Sequence, residues 1–190
     1  MEYKVIDGII TVSNDGKEFY NVDSLPNDID ENIRFYSYDG SKFVLDEESM
    51  ELTKKIYRKN YTIFKMSAAC NAAIISGIDV ALNNGNTYHY SLTIEDQINL
   101  MNLQSMIVSG AEAVPYHADG EECRFYDAAD FTLIVQAATA WKLYHESYFN
   151  SLRGYIQSLE TDEEFDTITY GMEIPEEYQT DVLKQLIAQN

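Results

Sequence analysis

The chain has 190 residues, 45% hydrophobic and 13% aromatic, the composition of a folded domain and not of a disordered segment. Thirty-two acids against thirteen bases give a formal charge of −19, which repels phosphate backbones and anionic lipid heads and so argues against generic nucleic-acid or membrane binding. The acids are spread through residues 1–53, 66–159 and 160–190 with no dense run, while Lys54, Lys55, Arg58, Lys59 and Lys65 form a short positive island. That distribution favours a solubilising surface over a rod of carboxylates mimicking DNA.

Residues 3–12, with Val5, Ile6, Ile9, Ile10 and Val12 around Asp7-Gly8, predict short β segments, and Asn14-Asp15-Gly16 predicts a turn. The acidic stretch from Asp23 to Asn32, which contains Pro26, reads as a polar loop. Ile33 to Tyr38 and Lys42 to Leu45 flank Asp39-Gly40, a hairpin signal because tight turns need residues that tolerate positive φ. From Asp46 the period becomes helical: Leu52, Ile56, Lys59, Ile63, Met66, Cys70 and Ala73 recur at spacings of four and three up to Gly77. Asp79 to Ser91 predicts a second hairpin around Asn84-Gly85. Thr93 with Asp96 then predicts the cap of a helix containing Ile94, Ile98, Met101, Leu103 and Ile107 and ending near Gly110.

A third hairpin is expected from Ala113 to Tyr126 with its turn at Asp119-Gly120, and Asp127 stands where a helix cap belongs. The strongest pattern follows: Phe131, Ile134, Ala138, Trp141, His145, Tyr148, Leu152, Tyr155 and Leu159 keep a 3,4 spacing, as a coiled-coil-like seam does. Such a seam packs against the 46–77 helix or against further copies of the chain. Acidic residues 160–166 lead through Gly171 and Pro175 to a short amphipathic helix with Val182, Leu183, Leu186 and Ile187. A weak repeat of about 33 residues pairs Ile75-Ser-Gly77, a hairpin and a capped helix with Val108-Ser-Gly110 and the same succession. The expected fold is α+β and helix-dominated, with two long helices sharing a coiled-coil-like seam, a shorter helix, projecting β-hairpins and a small N-terminal β-rich head. Its expected divisions are the head at 1–45, a helical domain at 46–159, and an acidic linker with a short C-terminal helix at 160–190.

Signatures of chemistry are sparse. Cys70 and Cys123 form no CxxC pair and fit a reduced compartment, and residues 1–30 have neither the basic start nor the apolar run of a signal peptide. No apolar run reaches the roughly 18 residues of a membrane span, so the chain is expected to be made and folded in the cytoplasm. His89, His117 and His145 lack the close spacing of metal ligands, which predicts no metal and no other cofactor. His145, on the helical seam, reads as a packed and hydrogen-bonded core residue. Neither a GxSxG elbow nor a phosphate-cradling glycine motif occurs, so no catalytic residue is assigned and the chain is expected not to be an enzyme. The fifteen tyrosines suit packing or protein contact. The expected contact residues are Tyr88, His89, Tyr90, Tyr116, His117 and Tyr126, all in the hairpins.

Three stretches carry a resemblance: Tyr88-His-Tyr-Ser-Leu-Thr-Ile-Glu-Asp-Gln-Ile-Asn-Leu100, Pro115-Tyr-His-Ala-Asp-Gly120, and the pattern Ala138-x-x-Ala-Trp-Lys-Leu-Tyr-His-x-x-Tyr-Phe-Asn-Ser-Leu152. They resemble an uncharacterised domain of tailed-phage and prophage proteins encoded near tail-fibre and baseplate genes, over about residues 66–159. Phe35 to Glu48, with Tyr38-Asp-Gly and Val-Leu-Asp-Glu-Glu48, is similar to a hairpin that commonly precedes that domain. The resemblance implies a structural component of a bacteriophage tail, located in the virion and associated with baseplate or tail fibre. Its implied partners are other tail proteins, and the chain is expected either to form a dimer or trimer with further copies of itself or to join a larger complex as a subunit that is monomeric until assembled. A tail-fibre assembly chaperone and an acidic inhibitor of a host defence protein are the alternative expectations. The family has no assigned catalytic residues to carry over.

Overall fold

A computed structural model describes residues 1–188, so the expected C-terminal helix is seen only up to Ala188, and the last two residues lie outside the described residues. The protein is α+β, and helix dominates. The chain divides into two compact units, one of residues 1–58 and one of the described residues from Lys59 onward.

In the first unit β1 (Glu2–Ile6), β2 (Ile9–Ser13) and β3 (Tyr20–Val22) form an antiparallel sheet in that order. Ile6 pairs with Ile9, and the two residues between them, Asp7 and Gly8, both have positive φ, as a two-residue hairpin turn requires. The stretch expected as a polar loop is not wholly a loop: α1 (Ile29–Asn32) closes it, with Ile29 buried. A single apolar side chain among acids is enough to pin one helical turn, and this lies below what periodicity can detect. After a 3₁₀ turn at Ile33–Phe35, β4 (Tyr36–Tyr38) pairs with β5 (Phe43–Leu45) across the Asp39-Gly40 turn. Asn14 bonds both main-chain groups of Tyr38, joining the sheet to this hairpin.

The helix α2 (Glu47–Ser76) passes from one unit into the other. In the second unit come β6 (Ile78–Ala81), β7 (Thr87–Tyr90), α3 (Ile94–Val108), β8 (Ala113–Tyr116), β9 (Arg124–Asp127), α4 (Ala128–Ser158), α5 (Asp162–Thr167) and α6 (Asp181–Ala188). Thr93 and Asp96 form a reciprocal capping box on α3, and Asp127 caps α4 through the Asp130 N–H.

From Lys59 onward α2 lies antiparallel to α4. The Lys59 ammonium donates to the Gln157 carbonyl (2.7 Å), the Cys70 thiol to that of His145 (3.4 Å), and the Trp141 indole to that of Ala73 (3.0 Å). The α2 stripe is not buried throughout, since Leu52 and Ile56 are exposed whereas Met66, Cys70 and Ile74 are buried. Nor does α4 spend its whole seam on α2. Phe131, Ile134 and Ala138 pack with residues of both hairpins and Leu100 of α3. Tyr148, Leu152, Ile156 and Leu159 pack with Met66 and with Phe165, Ile168, Ile174 and Leu183. The stretch expected as an acidic linker is therefore folded, its acids turned outward while its apolar side chains complete the second core.

Candidate functional site

The two hairpins of the second unit meet at one end of α2. In the β6–β7 register Asp79 stands opposite His89, and their side chains approach to 2.7 Å. The other imidazole nitrogen lies 2.7 Å from the main-chain oxygen of Ser76 in the last turn of α2. Both neighbours are acceptors, so the imidazolium, a donor at each nitrogen, satisfies both. The Asp79 hydrogen bond, then the Ser76 bond, raise the His89 pKa above its ordinary value. The second hairpin joins through Asp119, whose N–H donates to the His89 carbonyl (2.9 Å) and whose carboxylate accepts from the Ser91 N–H and hydroxyl. Burial of Asp119 acts to raise its pKa, but the Ser91 hydrogen bonds and the nearby charges of His89 and His117 bring it below the ordinary value.

Of the six residues expected to make contacts, three do not reach the surface. Tyr90, Tyr116 and Tyr126 are buried, with Tyr90 stacked on Tyr116 and its hydroxyl 3.3 Å from that of Tyr126. They alternate with outward residues on their strands, and the inward phase of a two-residue period is invisible until a strand's partner is known. His89 and His117 are exposed and Tyr88 is half-buried. Tyr88 instead carries the Arg124 guanidinium 4.5 Å above its ring, with a hydrogen bond from Arg124 to the Tyr88 hydroxyl (3.3 Å). These residues hold two hairpins in register with a helix end. Among the described residues no group of three or more His, Cys, Asp or Glu is placed to hold a metal ion.

A second feature of this unit is a cleft of about 320 Å³ between α3 and α4, floored by Leu92, Leu100, Val135 and Ala138 and edged by Met101 and Leu143. Its polar rim is small: the Lys142 ammonium donates to the Gln97 side chain (2.9 Å) and faces the Glu146 carboxylate at 3.8 Å. Beside it the outer face of α3 exposes Ile94, Ile98, Met101 and Val108. The sequence marks α3 as apolar but not which side is covered. Leu100 is buried and Leu103 and Ile107 pack behind it, which leaves a second apolar stripe facing solvent. Apolar residues on nearly every side of a helix, where one core accounts for a single stripe, were the available signal for this face.

No protein-family model, curated protein or solved structure matches the chain.

Proposed function

We propose that the protein is a structural component of a bacteriophage tail, associated with baseplate or tail fibre, non-enzymatic, and acting by contacts with other tail proteins. The observation that carries the reading is the convergence of the three stretches that resemble the tail-associated family. Tyr90 of the first stacks on Tyr116 of the second at 6.1 Å, Asp119 of the second bonds the His89 carbonyl of the first, and Lys142 of the third bonds Gln97 of the first. A resemblance scattered over the sequence thus falls on one packed body. Residues of the first and third stretches also line the α3–α4 cleft, an apolar surface of the kind that marks protein contact.

Mass spectrometry of purified virions tests the assignment. Peptides of this chain are expected in the particle alongside tail proteins. A chain abundant in infected cells but missing from particles would instead be an assembly chaperone. Early synthesis with capture of a host defence protein would overturn the structural reading in favour of inhibition.

A further inference from the structure

We infer that the outer face of α3, with the cleft beside it, is a self-association surface through which two copies of this chain meet antiparallel about a two-fold axis at Met101. Ile94, Ile98, Met101, Ser105 and Val108 follow one another at spacings of four and three, a narrow stripe with the period of a helix-pairing seam. All five are exposed, Met101 at 70% and Val108 at 78%, although four of them are large and apolar.

Charge identifies the occupant. Each copy carries −19, so two copies repel at long range and can meet only through surfaces that add no repulsion at the contact. From Gln97 to Ala111 there is no Asp, Glu, Lys or Arg, and on the α4 side of the cleft Lys142 and Glu146 cancel. A basic partner finds nothing on this face to pair with. A second copy presents an equally neutral stripe of the same period, and an isologous contact demands that self-complementarity.

Direction follows from the ends of α3. Glu95 and Asp96 occupy its first turn, and the last turn carries no base. A parallel pair would bring four carboxylates together. An antiparallel pair centred on Met101 holds the two acidic ends roughly 16 Å apart along the helices, at 1.5 Å of rise per residue, and opposes the helix dipoles. The stripe is centred on Met101, so in antiparallel register the two Met101 side chains meet at the axis, Ile98 of each copy packs beside Met101 of the other, and Ile94 faces Val108. The Met101 side chains then also border the clefts, which supply room for these flexible knobs. A dimer through α3 requires nothing of the tail assignment.

Sedimentation equilibrium of the full chain at several concentrations, with Ile98→Lys and Met101→Glu variants, tests it. The wild type is expected to reach the dimer mass, and each variant alone to sediment as a monomer with unchanged far-UV circular dichroism. Both sites are at least half exposed, so folding is retained. An equimolar mixture of the two variants is expected to recover the dimer, since it sets the introduced ammonium of one copy beside the introduced carboxylate of the other and keeps Met101 of one beside Ile98 of the other. Added salt is expected to tighten the wild-type dimer by screening its like charges. A wild type that stays monomeric at every concentration overturns the inference. So do variants that still dimerise, a mixture that stays monomeric, or association that weakens with salt.

Discussion

His89 sits between Asp79 and the C-terminal turn of α2, with its Nε2 atom 2.7 Å from the main-chain oxygen of Ser76. A cation there also meets the negative end of the helix dipole. The folded pKa of His89 is raised, so its contribution to stability is fully present below the unfolded value of about 6.5 and is lost as pH rises through the folded value. His89→Ala is expected to lower the melting temperature more in mildly acidic buffer than in mildly alkaline buffer. Paired thermal melts of wild type and variant measure this, and a deficit that is constant with pH would show that the imidazolium contributes nothing.

His145 titrates with the opposite consequence. It is buried, its Nδ1 lies 2.9 Å from the Tyr170 hydroxyl, and Trp141 stands edge-on to the ring with centroids 4.3 Å apart. This agrees with the packed core histidine expected from the seam. Burial lowers its pKa, so the unfolded chain takes up a proton near pH 6.5 that the folded chain refuses. Stability is therefore lost as pH falls from the unfolded value toward the depressed folded one. In His145→Phe the slope of stability against pH over this range is expected to shrink, measured by denaturant unfolding at a series of pH values. The total stability of that variant also reflects the lost Tyr170 bond, so the slope is the informative quantity.

Much of the architecture was legible because the signals were local. Thr93 with Asp96, Asp127 with Asp130, and the Asp-Gly and Asn-Gly turns each act within a few residues, and the structure places caps and hairpins there. The 3,4 stripe of α4 likewise marked its buried face. What periodicity could not supply was the partner. Phe131 and Leu152 occupy equivalent positions of one seam but belong to different cores, the first with the hairpins and the second with the C-terminal segment. The same gap explains the contact residues. Tyr88, Tyr90, Tyr116 and Tyr126 look alike in sequence, yet only the fold decides which ring points inward. The α3 face was hidden for the reverse reason, because an apolar helix suggests a core whether or not one is there.

Gly77 separates α2 from β6 with φ at +81°, and a β-carbon built there would lie 2.0 Å from the Tyr90 carbonyl oxygen. Both the backbone conformation and the main-chain neighbour exclude a side chain. Gly110 follows α3 with a similarly positive φ but has open space around it. Gly110→Ala is expected to cost only about 1–2 kcal/mol of left-handed strain. Gly77→Ala adds a backbone clash to that strain and is expected to be clearly worse. Urea unfolding of both variants decides it, and equal losses would mean that β7 moves aside without resistance.

Leu152 and Leu52 test where the seam between the long helices is real. Both occupy stripe positions in the sequence, and periodicity offers no ground for ranking them. Leu152 is fully buried against Met66, Ile156 and the apolar residues of the C-terminal segment, whereas Leu52 is 55% exposed. Leu152→Ala leaves a cavity with walls on three elements and is expected to cost about 2–5 kcal/mol, a large share of the roughly 5–15 kcal/mol of a whole domain. Leu152→Asp places an unpaired carboxylate in the same apolar space and is expected to unfold the second unit. Leu52→Ala removes a largely hydrated side chain and keeps helix propensity, so a change within about 0.5 kcal/mol is expected. Denaturant unfolding of the three variants gives the ranking. A loss at Leu52 as large as that at Leu152→Ala would mean that the buried seam runs the full length of α2, contrary to the exposure of Leu52 and Ile56.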